Sequence, residues 1–542
     1  MWARNLFFIA FLLLAAGSLT LGFLRDDPVH QPDTHKPWRY KNEKFRAVVQ
    51  QLDDAFASHW KLTKTKPAAR ADELTIVRRL SLGLTGTIPS LEEIRAFESK
   101  PDEERIQWWV SHLLDDRRYA DYVAERLARA YVGVENGPFL VYRRRRFVTW
   151  LSDQLRKNER YDSLARQLIN GRGLWTTNPN VNFLTVTINP NGDGDGPDEV
   201  KLAARLSRAF LGVRIDCSQC HDGRFDDWKQ QDFHQLAAFF NNAEMSVTGV
   251  RDKKKEYEFK YLNKEETETV PTIVPFYKDL LPPEGDARTR LAQWVTHPDN
   301  KPFSRAIVNR VWALMFGKPL VSPVDDLPLD AKDLPPMIDV LADDFAKNGF
   351  DLHRLIRVIA ASRVFQLDSR RLDEQMVTEL DESAWSVFPM TRLRPEQVIG
   401  SVTQCATLDT IDADSHVLVK FIRLVQQQEF VKRYGDTGED EFVERGGTIP
   451  QRLLLMNGKI VKERTEGNIV MNAAPRIALL APSDAKAVEV AFLITLSRRP
   501  TAEETSHFAT RLSETPKGDK RAQRMQDICW SLINSTEFSW NH

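Results

Sequence analysis

Between Tyr40 and about Lys61 the apolar residues Phe45, Val48, Val49, Leu52, Phe56 and Trp60 recur at spacings of three and four, which predicts an amphipathic helix. A second helix is predicted from about Asp72, with Leu74, Val77 and Leu80 on one face. It ends at the Gly83 to Pro89 stretch, where glycines and a proline break the period. Ser90 followed three residues later by Glu93 is the signature of a capping box opening a third. The same pattern runs through Glu103 to Leu114, Ala120 to Tyr131 and Arg145 to Leu155, then resumes in Arg288 to Val295, Pro302 to Phe316, Leu334 to Lys347, Leu352 to Ala361 and Arg524 to Ile533. Alternation by twos is scarce, and only Leu184 to Ile188 and Tyr257 to Tyr261 read as strands. The stretch from Arg251 to Glu284 is charged, dotted with prolines and without helical period. The expectation is therefore a mainly α chain of two helical domains with a few short strands. The domains span residues 70–250 and 285–542, the irregular connection 251–284, and a linker with the first helix 25–69.

Ahead of these, Arg4 precedes an apolar run from Leu6 to Leu24, followed by Arg25, Asp26 and Asp27. Residues 1–24 read as a signal peptide or signal anchor. As a helix the run would span roughly 28 Å, close to the ~30 Å of a bilayer core. Ala15-Ala16-Gly17 would serve as a cleavage site. With or without cleavage, the body is expected outside the cytoplasmic membrane, in the periplasm or cell envelope. With 42% hydrophobic and 28% charged residues the chain has the make-up of a folded protein. Its 75 Lys and Arg against 76 Asp and Glu leave no net field to attract nucleic acid.

Chemistry concentrates in one place. Among only four cysteines, Cys217 and Cys220 stand in the order Cys217-Ser218-Gln219-Cys220-His221. Two thiols at this spacing form thioethers to the vinyl groups of haem c, and the adjoining imidazole binds the iron. Because this attachment takes place outside the cytoplasm, the export segment and the motif agree. The local setting predicts a helix from Glu199 to Leu211, capped by Asp198 and stopped by Gly212, then the motif in a loop, then a helix carrying Phe233, Leu236, Ala237 and Phe240. His234 and Met245 are the nearby candidates for a sixth iron ligand, and Met315, Met390 and Met456 the distant ones. A disulfide between Cys217 and Cys220, a zinc site including His221 and His234, and a thioredoxin-like redox pair are the competing readings.

Other signals are weaker. Asn189 to Glu199 alternates acidic and amide residues, but counting from Asn191 puts Leu202 where a calcium loop needs its bidentate glutamate. The run Arg143 to Arg146 could meet haem propionates or an acidic glycan, though a solvated helix face is its default reading. Cys405 and Cys529 read as small buried hydrophobes. Asp325-Asp326 and Asp343-Asp344 are neighbours that point apart on a helix, so they predict caps or surface charges, and no convincing catalytic constellation is found.

The run Arg79 to Pro89 and the stretch Phe210 to Phe240, which contains the motif, resemble the planctomycete cytochrome-like domain of unknown function. Ala287 to Leu327, Gly349 to Leu367, Thr448 to Gly458, Leu496 to Glu504 and Leu532 to His542 resemble the companion domain that commonly follows it. The resemblance implies an exported protein found beside sulfatase-like neighbours, hence envelope or polysaccharide metabolism, and prescribes no reaction. It also exposes a departure: the family commonly continues with a second His and a Pro, where this chain has Gly223 and Arg224. The first expectation is an envelope electron carrier with haem c, facing an unidentified redox partner or polysaccharide-processing proteins. The alternatives are a non-catalytic envelope or polysaccharide-associated binding protein with a structural disulfide or metal site at the cysteines, and a hydrolase of sulfated polysaccharide.

Overall fold

The computed structural model describes residues 36–134, 141–188, 196–223, 228–262, 264–371, 376–411, 429–435, 442, 447–458, 461, 472–516 and 518–542. The expected export segment, most of the Asn189 to Glu199 stretch and Arg224 lie outside them. Among the described residues no helix is long and apolar enough to cross a membrane.

The chain is predominantly helical, as its periodicity predicts. Its first half runs α1 (Pro37–Lys41), α2 (Glu43–Thr63), α3 (Glu73–Thr85), α4 (Leu91–Glu98), α5 (Arg105–Asp115), α6 (Arg117–Val132), α7 (Arg144–Arg156), α8 (Tyr161–Ile169), α9 (Asn182–Thr185), α10 (Glu199–Leu206) and α11 (Gln230–Ala237). Two small antiparallel pairs follow, β1 (Ala243–Ser246) with β2 (Gly249–Asp252) and β3 (Glu258–Phe259) with β4 (Glu268–Thr269). The second half contains α12 (Ala287–Val295), α13 (Lys301–Phe316), α14 (Pro336–Lys347), α15 (Leu352–Ala361), α16 (Glu379–Ser383) and α17 (Pro395–Cys405). It continues with α18 (Ile449–Asn457), α19 (Ala473–Leu480), α20 (Asp484–Leu496), α21 (Ala502–Ser513) and α22 (Asp519–Ile533). β5 (Thr391–Arg392) pairs with β6 (Trp540–Asn541) at the C-terminal end.

Capping residues set the helix starts. Asp72 accepts from Leu74 N at α3, Ser90 and Glu93 close a reciprocal box at α4, and Asp198 accepts from Lys201 N at α10. Phe45, Val48, Leu52, Phe56 and Trp60 are the buried face of α2, as their spacing predicts. Leu184 to Ile188 is a correction: α9 and the turns after it occupy this stretch. Phe183, Leu184, Thr185, Val186 and Thr187 are all buried, so period-two alternation there reflected no exposed face. Tyr257 to Tyr261 holds only the two-residue β3.

One continuous apolar cluster runs through both halves. At its centre α13 is buried along nearly its whole length. Helix α3 comes so close to it that a Cβ on Gly83 would lie 3.1 Å from Leu314 O and Met315 Cα. Across the same junction Phe56 stacks on Trp312, and the Trp60 indole donates to Ala384 O at 3.0 Å.

Buried ionic groups carry part of the stability. Glu93 is 4% exposed and accepts from Ser90 N, His112 and Arg118, with Asp116 also on Arg118. Burial pushes its carboxyl up, but the His112 hydrogen bond, the Arg118 charge and the Ser90 N–H outweigh that and hold it at about 2 against an ordinary 4.5. The depressed carboxyl contributes about 3 kcal/mol above pH 4.5, lost as the pH falls from there toward 2. Chemical denaturation across this range is expected to show the Glu93→Gln variant less stable at pH 7 by about that amount. The difference from wild type should close near pH 2, and a gap independent of pH would refute the assignment.

Candidate functional site

The motif sits in a loop built from both sides. Helix α10 widens after Leu206 into one π turn, Ser207–Leu211, and stops at Gly212 with φ 63°, where the sequence places the helix end. Ile215 leads into a short 3-10 turn, Asp216–Gln219, and the cysteines lie on and just after it. Ser218 is buried beneath them, its hydroxyl donating to Trp228 O at 3.2 Å, and Gly223 N donates to the same carbonyl at 2.7 Å.

Helix α11 braces the loop from below. The Gln230 side-chain amide donates to Cys220 O at 3.1 Å and Gln219 O at 3.3 Å, and its backbone N donates to Asp222 Oδ1 at 2.9 Å. One turn later His234 Nε2 lies 3.0 Å from Gln219 O. A carbonyl only accepts, so Nε2 carries the proton and Nδ1 accepts from the Tyr257 hydroxyl at 2.8 Å. Phe259 stacks on the imidazole with centroids 3.4 Å apart. Burial lowers the His234 pKa, with the Gln219 hydrogen bond opposing, so the ring is held neutral. The irregular connection is thus more than a tether, since Tyr257 and Phe259 within it pack on His234 of α11.

Cys217 and Cys220 are exposed and not bonded to each other. His221 is exposed as well, its Nδ1 2.8 Å from Asp222 O. The same reasoning puts the proton on Nδ1 and leaves the Nε2 lone pair available to a metal, the usual way a backbone carbonyl orients a ligating histidine. The three motif side chains are therefore together and accessible. Of the sixth-ligand candidates, His234 has both ring nitrogens engaged. Met245 lies in β1 opposite Val250, partly buried against the core. Met315 is fully buried, while Met390 and Met456 are exposed.

Remaining signals resolve into structural contacts. Arg144 forms a bidentate pair with Glu125, both bonds 2.8 Å, so the arginine run is partly committed. Asp344 pairs in the same way with Arg354, and Asp343 with Lys301 and Lys347. The Cys405 thiol lies 3.2 Å from Val402 O, and burial pushes the Cys529 thiol up to about 12, so neither thiol is poised to react. Residues 51–245 match the family PSCyt2, described as a protein of unknown function (DUF1549), and residues 287–418 match PSD1, described likewise (DUF1553). The chain thus carries a region that matches PSCyt2 followed by one that matches PSD1. No curated protein and no solved structure matches it. The PSCyt2 match contains the whole motif and α11, whereas Tyr257 and Phe259 fall between the two matched ranges. The stretches of resemblance from Thr448 onward lie past the end of the PSD1 match.

Reading the sequence alone missed Gln230, Tyr257, Phe259 and Asp222 as supports of the motif. The alternating aromatics Tyr257, Phe259 and Tyr261 were the available sign, since three such rings in an otherwise polar connection need a surface to cover.

Proposed function

We propose that the protein is an exported electron carrier of the cell envelope that holds haem c through Cys217 and Cys220, with His221 as iron ligand. The observation that carries this reading is the 2.8 Å contact of His221 Nδ1 with Asp222 O, which leaves Nε2 as the ring atom for a metal, beside two accessible thiols. The donor set fits the group, since thiols at this spacing accept its vinyl carbons and a neutral imidazole binds its iron. Once bound, haem supplies one-electron transfer at the iron. The chain's own residues do the rest. Gln230 and His234 hold the Gln219 and Cys220 carbonyls, so the turn that presents both thiols need not reorganise, and the Asp222 carbonyl keeps the His221 ring oriented. His234, committed at both nitrogens, is assigned to bracing instead of to iron. Location in the periplasm or envelope rests on the apolar run Leu6 to Leu24 and on the extracytoplasmic chemistry of thioether formation. The partner would be a redox protein of the same compartment.

Full-length protein, produced with its own export segment in a host carrying haem c maturation machinery, is expected to retain a coloured chromophore through denaturing electrophoresis. Its reduced form should show a haem c visible spectrum. Cys217→Ala should lose at least one thioether and most of the retained colour. A colourless wild-type protein under these conditions overturns the proposal.

A further inference from the structure

We infer that the Val321 to Leu327 turn of the PSD1 domain is a positioning element for the Cys217 to His221 loop of the PSCyt2 domain, so that the site belongs to the two-domain unit. This rests on reading that loop as the functional site.

The turn is made rigid by its own domain. Asn309 of α13, fully buried, donates through Nδ2 to Val321 O at 2.7 Å and accepts from Val321 N at 3.0 Å. Three consecutive residues of the turn then grip the segment that leads into the motif. The Asp325 carboxylate accepts from Arg214 Nη2 at 2.7 Å and Nε at 3.1 Å, Asp326 Oδ1 accepts from Arg214 N at 3.1 Å, and Leu327 N donates to Gly212 O at 2.6 Å. The adjacent carboxylates thus lie in a turn and not on the helix expected from the sequence, and they converge on one residue, Asp325 at the Arg214 guanidinium and Asp326 at its main-chain N–H.

A second route reaches the residue before Cys217. Arg208, on the π turn, donates to Asp216 Oδ2 at 2.7 Å and lies 4.0 Å from Asp325 Oδ2, so one carboxylate of the second domain sits beside both arginines that hold the entry to the loop. The π turn itself leaves carbonyls outside the ordinary helical ladder. One of them, Ala209 O, is taken by Arg310 of α13 at 3.0 Å. Asp325 is 15% exposed and Arg214 34%, so solvent screens the pair and its ionic strength alone is modest. The effect comes from fixing the geometry of Gly212 to Asp216 at several points at once, which leaves the 3-10 turn one place to start.

Hydrogen exchange on the full-length chain without haem tests this. In Asp325→Asn/Asp326→Asn, amides of the segment 213–223 are expected to exchange on the order of tenfold faster than in wild type, with the α3 amides and the melting temperature little changed. Asp325→Glu should restore most of the protection. The reversed pair Arg214→Asp/Asp325→Arg should protect better than either single change, as coupled partners do. Asp343→Asn, which removes the ion pairs of Asp343 with Lys301 and Lys347, should leave 213–223 untouched. Unchanged exchange in the double variant overturns the inference, as does an equal rise throughout the protein or no recovery in the reversed pair. A colourless protein would sink the haem reading while leaving these rates to decide this one.

Discussion

Arg79→Ala is expected to cost about 4 kcal/mol of stability and to lower the melting temperature by several degrees. The guanidinium is fully buried and donates to main-chain oxygens and a hydroxyl. Nε donates to His542 O at 2.7 Å, Nη1 to Leu367 O at 2.6 Å and Phe365 O at 3.2 Å, and Nη2 to Ser369 Oγ at 3.3 Å. Its plane covers the Phe388 ring at 3.7 Å. Burial pulls its pKa down to about 9, with Asp368 opposing, so the residue remains charged at neutral pH and depends on those carbonyl dipoles. Truncation leaves four acceptors, three in the 365–369 stretch and one at His542, without this donor, together with a cavity. Arg79→Met refills the volume but cannot supply the donors, so it should recover only a part of the loss. If Met were as stable as wild type, the hydrogen bonds would carry no net weight and the expectation would fail. Denaturant melts of the three proteins decide it.

Gly212→Val is expected to cost about 3 kcal/mol and to loosen the motif loop as well. At φ 63° a β-branched side chain is strained, and a Cβ there would lie 2.7 Å from Leu327 Cδ1 and 3.0 Å from Ala306 Cβ. The two causes separate experimentally. In a Gly212→Val/Leu327→Ala double variant the crowding at Leu327 is relieved while the backbone strain stays, so the second change should cost less in the variant background than in wild type. Additive costs in denaturant melts would mean that side chains at 212 and 327 do not meet.

Much of the helical array was legible because it rests on local rules. The caps at Asp72, Ser90 and Asp198 lie within three residues of the donors they satisfy, and the α2 stripe follows from the helical period. Leu184 to Ile188 shows the limit of that reasoning. A segment buried all round carries no information in its alternation, and neighbours distant in sequence decided that it would be helical. The motif was likewise legible as a set of residue types at fixed spacing, but its support was not. The bond from His234 to Tyr257 crosses 23 residues and that from Arg214 to Asp325 crosses 111, and no local pattern encodes either pairing.

Residues near one another in the chain were enough for the helical class, the placing of most helices, the likeness to the two families and the presence of two thiols and an imidazole in one loop. Packing between distant segments was needed to orient His221 on the Asp222 carbonyl, to make His234 a brace, and to bring Asp325 and Asp326 across from the second half of the chain. Those outcomes depend on which carbonyl, hydroxyl or carboxylate lies within 3 Å of a given atom, and in a packed interior that is set by contacts between segments far apart in the chain.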